Sequence, residues 1–213
     1  MSPNGWPGGD RVTERTAPLG IVDRIGRTLR DPRGAVRLEI AHASEARLFF
    51  YAFMASVFAT LTALGEQALN PQPGPAADPA QWTATQAAAG AFFRPLALYG
   101  VAGVIGLAAR RLGGTGSWRA TRAAVFWTAF AAAPFALILS MLGAVLGAAT
   151  ALGTAAPMAA HALGSLLWAA LLAPALGEAH ALTAARGAVA LLVAVAAALF
   201  GIGLLAALLA IAL

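Results

Sequence analysis

Polar and apolar residues are segregated along this chain rather than interleaved. Five apolar runs, at about residues 48–66, 91–109, 123–149, 157–177 and 187–213, alternate with short polar connections. Each run is close to the ~20 residues that a helix needs to cross a hydrocarbon core of ~30 Å. None alternates apolar and polar positions in strands of about ten, as a membrane β-barrel would. Backbone groups in lipid must be satisfied within their own segment, so each run is expected to be α-helical. Pro134 and Pro174 lie inside runs and predict tolerable kinks. Gly147, Gly153, Thr154 and Pro157 cluster as breakers and divide the third run from the fourth. The expected fold is all-α, a polytopic bundle of five transmembrane helices behind a short amphipathic N-terminal segment.

The residues ahead of the first run divide in two. Residues 1–20 are rich in Gly, Pro and Thr and predict a disordered tail. Over 21–47, Ile21, Ile25 and Leu29, then Val36, Ile40 and Ala43, recur at helical spacing beside arginines. Asp31-Pro32 separates the two stretches, with Pro32 suited to the first position of a second helix. The pattern favours a basic amphipathic segment lying on the inner leaflet; a docking helix is the alternative. Because 47 mostly polar residues precede the first apolar run, no cleavable signal peptide is expected.

Composition sharpens this picture. Hydrophobic residues make up 60% of the 213, charged residues 11%, and mean hydropathy is +0.75. That is too little polar surface to cover a water-soluble globule, for which about 25% charge is usual. There is no cysteine, which excludes disulfides, thiolate metal sites, cysteine nucleophiles and thiol-linked lipids. All 14 basic residues are arginine, and alanine and glycine are abundant, as expected from a GC-rich bacterial genome.

The arginines predict an orientation. The segment 110–122 holds Arg110, Arg111, Arg119 and Arg122 with no acid, and residues 1–47 hold eight arginines against six acids. The connection after the first span holds Glu66, Asp78 and Arg94. An excess of arginine marks cytoplasmic loops, so the N-terminus and the 110–122 and 178–186 loops are expected inside, and the C-terminus outside, a bacterial inner membrane. The basic charge is what this topology requires, and no nucleic-acid partner is expected.

Few residues carry candidate chemistry. Gly113-Gly114-Thr115-Gly116-Ser117-Trp118 lacks the lysine and the strand–helix setting of a phosphate loop, and reads instead as a tight turn. Ser117 is then a helix cap, Trp118 an interfacial anchor, and Arg110, Arg111, Arg119 and Arg122 contacts for anionic lipid head groups. Glu178 and His180 form a candidate polar site at the cytoplasmic end of the fourth span, with Arg186 in reach of Glu178 as an ion pair. Arg94, costly to bury, is expected to snorkel outward or to form an intramembrane ion pair with Glu66. His161 lacks a second ligand at i+3 or i+4, so no metal, cofactor or catalytic group is expected. Gly143-x-x-x-Gly147 and the alanine-rich faces permit close helix contact, including with a second copy.

Three short motifs in this order form a pattern: Leu29-Arg30-Asp31-Pro32-Arg33 before the first span, the Gly113–Trp118 loop before the third, and Glu178-Ala179-His180 after the fourth. With five spans and a Pro-rich exported loop, the chain from about residue 25 resembles the bacterial branch of the Yip-one domain family, relatives of the eukaryotic Ypt/Rab-interacting membrane proteins. The resemblance implies a five-helix membrane fold. Eukaryotic members act in vesicle traffic and bind prenylated Rab GTPases. This chain has no counterpart of their extended acidic-aromatic cytoplasmic segment, so the resemblance implies fold rather than activity. The expected function is that of a non-enzymatic membrane protein organising membrane lipids or membrane-protein partners. A small transporter or permease subunit is the alternative.

Overall fold

A computed structural model describes residues 20–69 and 78–196. Every regular element among them is helical. Two short helices, α1 (Ile21–Arg30) and α2 (Pro32–Ala41), form a hairpin. The Asp31 carboxylate accepts the Gly34 N–H at 2.9 Å and so caps α2, while Pro32 occupies its first turn. A membrane-length helix, α3 (Glu45–Leu69), follows directly.

The second span is longer than its apolar run. The helix begins at Pro79, capped by Asp78, whose side chain accepts from Ala80 N–H at 2.8 Å. It continues as α4 (Pro79–Ala88), a π turn (Ala89–Phe93) and α5 (Arg94–Arg111). The π turn seats Gly90 against the Thr60 side chain of α3, where a Cβ would collide with the hydroxyl. Helices α6 (Trp118–Ala149) and α7 (Ala155–Ala179) complete four elements long and apolar enough to cross a membrane. A shorter apolar helix, α8 (Ala184–Ala196), opens the fifth run. All of the expected tail over 1–20 except Gly20, and the rest of the fifth span, lie outside the described residues.

The core is built around α6, which touches α1, α2, α3, α5 and α7. Its first half buries Ala123, Ala124, Val125, Phe126, Trp127 and Ala131 completely. Small residues bring the helices close: a Cβ on Gly143 would come within 2.6 Å of the Ala160 Cβ on α7. Pro134 and Pro174 are carried inside α6 and α7 without ending either.

The hairpin does not lie free on a leaflet, the arrangement that its amphipathic pattern favoured. It is docked on the bundle. Val36 and Thr28 are fully buried, and the Trp127 indole N–H of α6 donates to Thr28 Oγ1 at 2.9 Å. The face turned away from the bundle still exposes Ile21, Val22, Leu29 and Leu38.

Candidate functional site at the hairpin end

Two polar assemblies occupy the end of the bundle that carries the hairpin. The first centres on Glu39 of α2, which is 4% exposed. Its carboxylate accepts from Arg24 of α1, from the Tyr51 hydroxyl at 2.8 Å, and lies 3.3 Å from Arg47 of α3. Arg24 also donates to the Tyr51 oxygen at 2.5 Å and stacks over the Trp127 ring, 4.6 Å from its centroid. A single buried carboxylate therefore ties α1, α2 and α3 together against α6. Beside this network, Arg122 of α6 pairs with Glu45 through two bonds of 2.6 and 2.8 Å, the fork geometry that suits guanidinium and carboxylate.

The second assembly joins the three sequence motifs. The Thr115 N–H donates to the His180 carbonyl at 3.1 Å, so the Gly113–Trp118 loop closes on the end of α7. The His180 ring is buried beneath it, and Cβ atoms on Gly114 and Gly116 would stand 2.9 and 2.8 Å from its Nδ1. Gly113 has φ +88°, a left-handed conformation that costs other residues ~1–2 kcal/mol. Thr121 Oγ1 lies 3.1 Å from the Ser117 carbonyl and 2.9 Å from His180 Nε2. If the hydroxyl donates to that carbonyl it accepts from Nε2–H, which assigns the neutral Nε2–H tautomer from the network. Burial, and then the charge of Arg110, hold the His180 pKa below its ordinary 6.5. The neutral ring is what this packing requires. Arg33 of the first motif donates to the Leu182 carbonyl at 2.8 Å, and Arg37 to Glu178 at 2.7 Å. The Glu178 hydrogen bond, and then its charge, raise the Arg37 guanidinium above its usual value.

Within the bundle, toward the opposite end, α3, α5, α6 and α7 surround a cavity of about 370 Å³. Its walls include Ala59, Ala132, Ala133, Ala136 and Gly164, with Arg94 and His161 also lining it. The Arg94 guanidinium donates to Thr60 Oγ1 at 2.6 Å and to Gln86 Oε1 at 2.7 Å.

Comparison with known families matches the Yip1 domain over residues 26–207. The chain belongs to the Yip1 domain family. No curated protein and no solved structure matches it. The match begins inside α1 and takes in the rest of the docked hairpin with the bundle helices, and all three motifs lie inside it.

Within this Yip1 domain, the candidate residues separate. Ser117 stands at the N-cap of α6, where its Oγ accepts from Ala120 N–H at 3.1 Å. Arg110, Arg111 and Arg119 are exposed and have no ion-pair partner among the described residues. Arg122, expected at lipid head groups, is instead buried to 8% exposure and committed to Glu45. Glu178 accepts from Arg37, not Arg186, because the hairpin covers the end of α7.

Glu66 and Arg94, expected to pair, have different partners. Gly90 and Arg94 stand level with Thr60, and Glu66 lies ~9 Å farther along α3 by helical rise. The Glu66 carboxylate instead lies 3.3 Å from His161 Nε2 on α7.

Sequence reading missed Arg24, Thr28, Glu39, Tyr51 and Trp127 as one network. A signal was present: Glu39 follows Val36 by three residues and precedes Ala43 by four, so an acid sits on the apolar face of α2.

Proposed function

We propose that this Yip1-domain protein is a non-enzymatic organiser of membrane lipids and membrane-protein partners, acting through its hairpin end. The single observation that carries this reading is a division of labour among the arginines. Arg24, Arg33, Arg37, Arg47 and Arg122 are used internally to fix the hairpin and loops. Arg27, Arg30, Arg110, Arg111, Arg119 and Arg186 stay exposed around the same end, without an ion-pair partner among the described residues. A rigid frame surrounded by free guanidinium groups suits anionic head groups and acidic partner segments. The general character of the family, non-catalytic membrane proteins, agrees with it. In this reading the hairpin end faces the cytoplasm from a bacterial inner membrane and the C-terminus lies outside, the orientation that the arginine bias supports. The alanine-rich helix faces leave room for self-association.

The test is affinity purification from mild detergent, with quantification of co-eluting lipids and proteins for the wild type and for Arg110→Gln/Arg111→Gln/Arg119→Gln. The expected result is loss of anionic lipid, of a defined protein, or of both from the variant. An identical profile in both would overturn the reading. The alternative of a small transporter or permease subunit draws on the 370 Å³ cavity alone.

A further inference from the structure

We infer that the intramembrane cavity takes one acyl chain of an anionic phospholipid, with the lipid phosphate at Arg94. The inference stands apart from the hairpin-end reading, since it concerns a different site.

Depth is the first argument. Helical rise puts Arg94 ~26 Å along its helix from Arg111, so the two stand near opposite faces of a ~30 Å hydrocarbon core. The head of a lipid in the leaflet opposite the hairpin end would therefore reach Arg94, and its chain would run inward along the cavity.

The walls are the second argument. Although Ser56 and Thr62 line the cavity, their hydroxyls donate to the carbonyls of Ala52 and Phe58 on their own helix, at 2.8 and 3.0 Å. Those two donors are turned onto backbone; Ser140 and Ser165 are the other hydroxyls of the lining, whose seven alanines make it mainly apolar. A polar solute would lose its hydration there without replacement, at a cost that an acyl chain does not meet. At 370 Å³ the space lies in the lower range of small-ligand sites.

Charge is the third. Both groups bonded to the Arg94 guanidinium, Thr60 Oγ1 and Gln86 Oε1, are neutral. The one nearby carboxylate on α3, Glu66, is turned to His161. Among the described residues no carboxylate pairs with the guanidinium, which is positioned and keeps further N–H groups for an anionic oxygen. An apolar cavity with a fixed cation in its wall is complementary to an anionic amphiphile.

The experiment is native mass spectrometry of the full chain, released from mixed micelles holding phosphatidylglycerol and phosphatidylcholine with identical chains. The wild type should retain one phosphatidylglycerol with a preference of about fivefold, the scale of one arginine near an anionic head group. Arg94→Gln should remove the preference and Arg94→Lys should keep it. Ala133→Phe, which fills the cavity, should lower retention of both lipids. Equal retention of the two lipids by the wild type, or a preference unchanged in Arg94→Gln, would overturn the inference. Should Arg94→Gln fail to fold, phosphatidylglycerol with a photoreactive chain end decides on the wild type. Adducts should fall on peptides holding Ala133, Ala136 or Ser165. Adducts confined to other surfaces would show that the cavity is closed by something else, such as residues 197–213 or a second copy, and would equally overturn it.

Discussion

The two ends of the bundle are held together by different physics. At the hairpin end, buried charges, aromatic rings and backbone-specific glycine contacts join α1, α2, α3, α6 and α7 in one network. Toward the other end, fewer polar contacts cross between helices among the described residues, such as Arg94 with Thr60 and Glu66 beside His161. Helices meet through small residues such as Gly143 against Ala160, and space is left between them. A buried charged network specifies one arrangement, because removing a charged member leaves its partner uncompensated. Packing of alanine and glycine tolerates small shifts and leaves cavities.

The largest effect should come from Glu39→Ala. It leaves Arg24 and Arg47 facing each other around a buried Tyr51 hydroxyl without their carboxylate, and breaking a buried pair costs about 3 kcal/mol or more. Unfolding in detergent should show that loss, and limited proteolysis should cut α1 and α2 first. A change under about 1 kcal/mol would remove the distinction between the two ends.

Next is Gly116→Ala. Its Cβ would meet the Ala179 carbonyl oxygen and the His180 ring, so the loop must shift, with an overpacking cost of about 1–3 kcal/mol. The comparison variant is Gly100→Ala, where a Cβ meets nothing within 4 Å and helix propensity is the main term. It should be neutral or slightly stabilising by thermal unfolding.

The third effect depends on pH. The folded pKa of His180 lies below its ordinary 6.5, so the unfolded state binds the proton more readily. The stability contribution is complete above pH 6.5 and is lost as pH falls through the lower folded value. A cysteine introduced at Thr115 should therefore react faster with a thiol reagent as the loop is acidified below 6.5, after correction for thiolate content. His180→Gln should flatten that pH dependence.

The smallest effects should lie at the other end. Glu66→Ala and Arg94→Ala should add in a double-mutant cycle, since the two residues have separate partners. Glu66 and His161 should couple weakly, by about 1 kcal/mol or less. Strong Glu66–Arg94 coupling would instead mean that the two helices sit in another register.

The sequence exposed some of this better than the rest. Long apolar runs have a single physical solution in lipid, and four of the five are membrane-length helices here. The caps at Asp31, Asp78 and Ser117 are local events, and residue type together with the following proline or serine-aromatic step made Asp31-Pro32 and Ser117 legible. Partner choice was another matter. Arg122 looked like a lipid contact because Glu45, its partner, lies 77 residues earlier on a different helix. Matched depth suggested Glu66 with Arg94, but register and rotation of α3 against α5 decide contact, and those depend on how Gly90 seats against Thr60. The docking of the hairpin was hard to read for a related reason. A basic amphipathic face suits a leaflet and a protein surface equally, and only Glu39 on that face distinguished them.

The central claim is that the hairpin is held by the bundle and not by the leaflet. Amide hydrogen exchange of the full chain in nanodiscs tests it most directly, comparing neutral with anionic lipid. A leaflet-bound basic helix depends on anionic lipid for part of its hold, whereas a docked one does not. The account predicts slow exchange across residues 21–41 in both lipids, and loss of that protection in Glu39→Ala. Protection that appears only with anionic lipid, and survives Glu39→Ala, would contradict it.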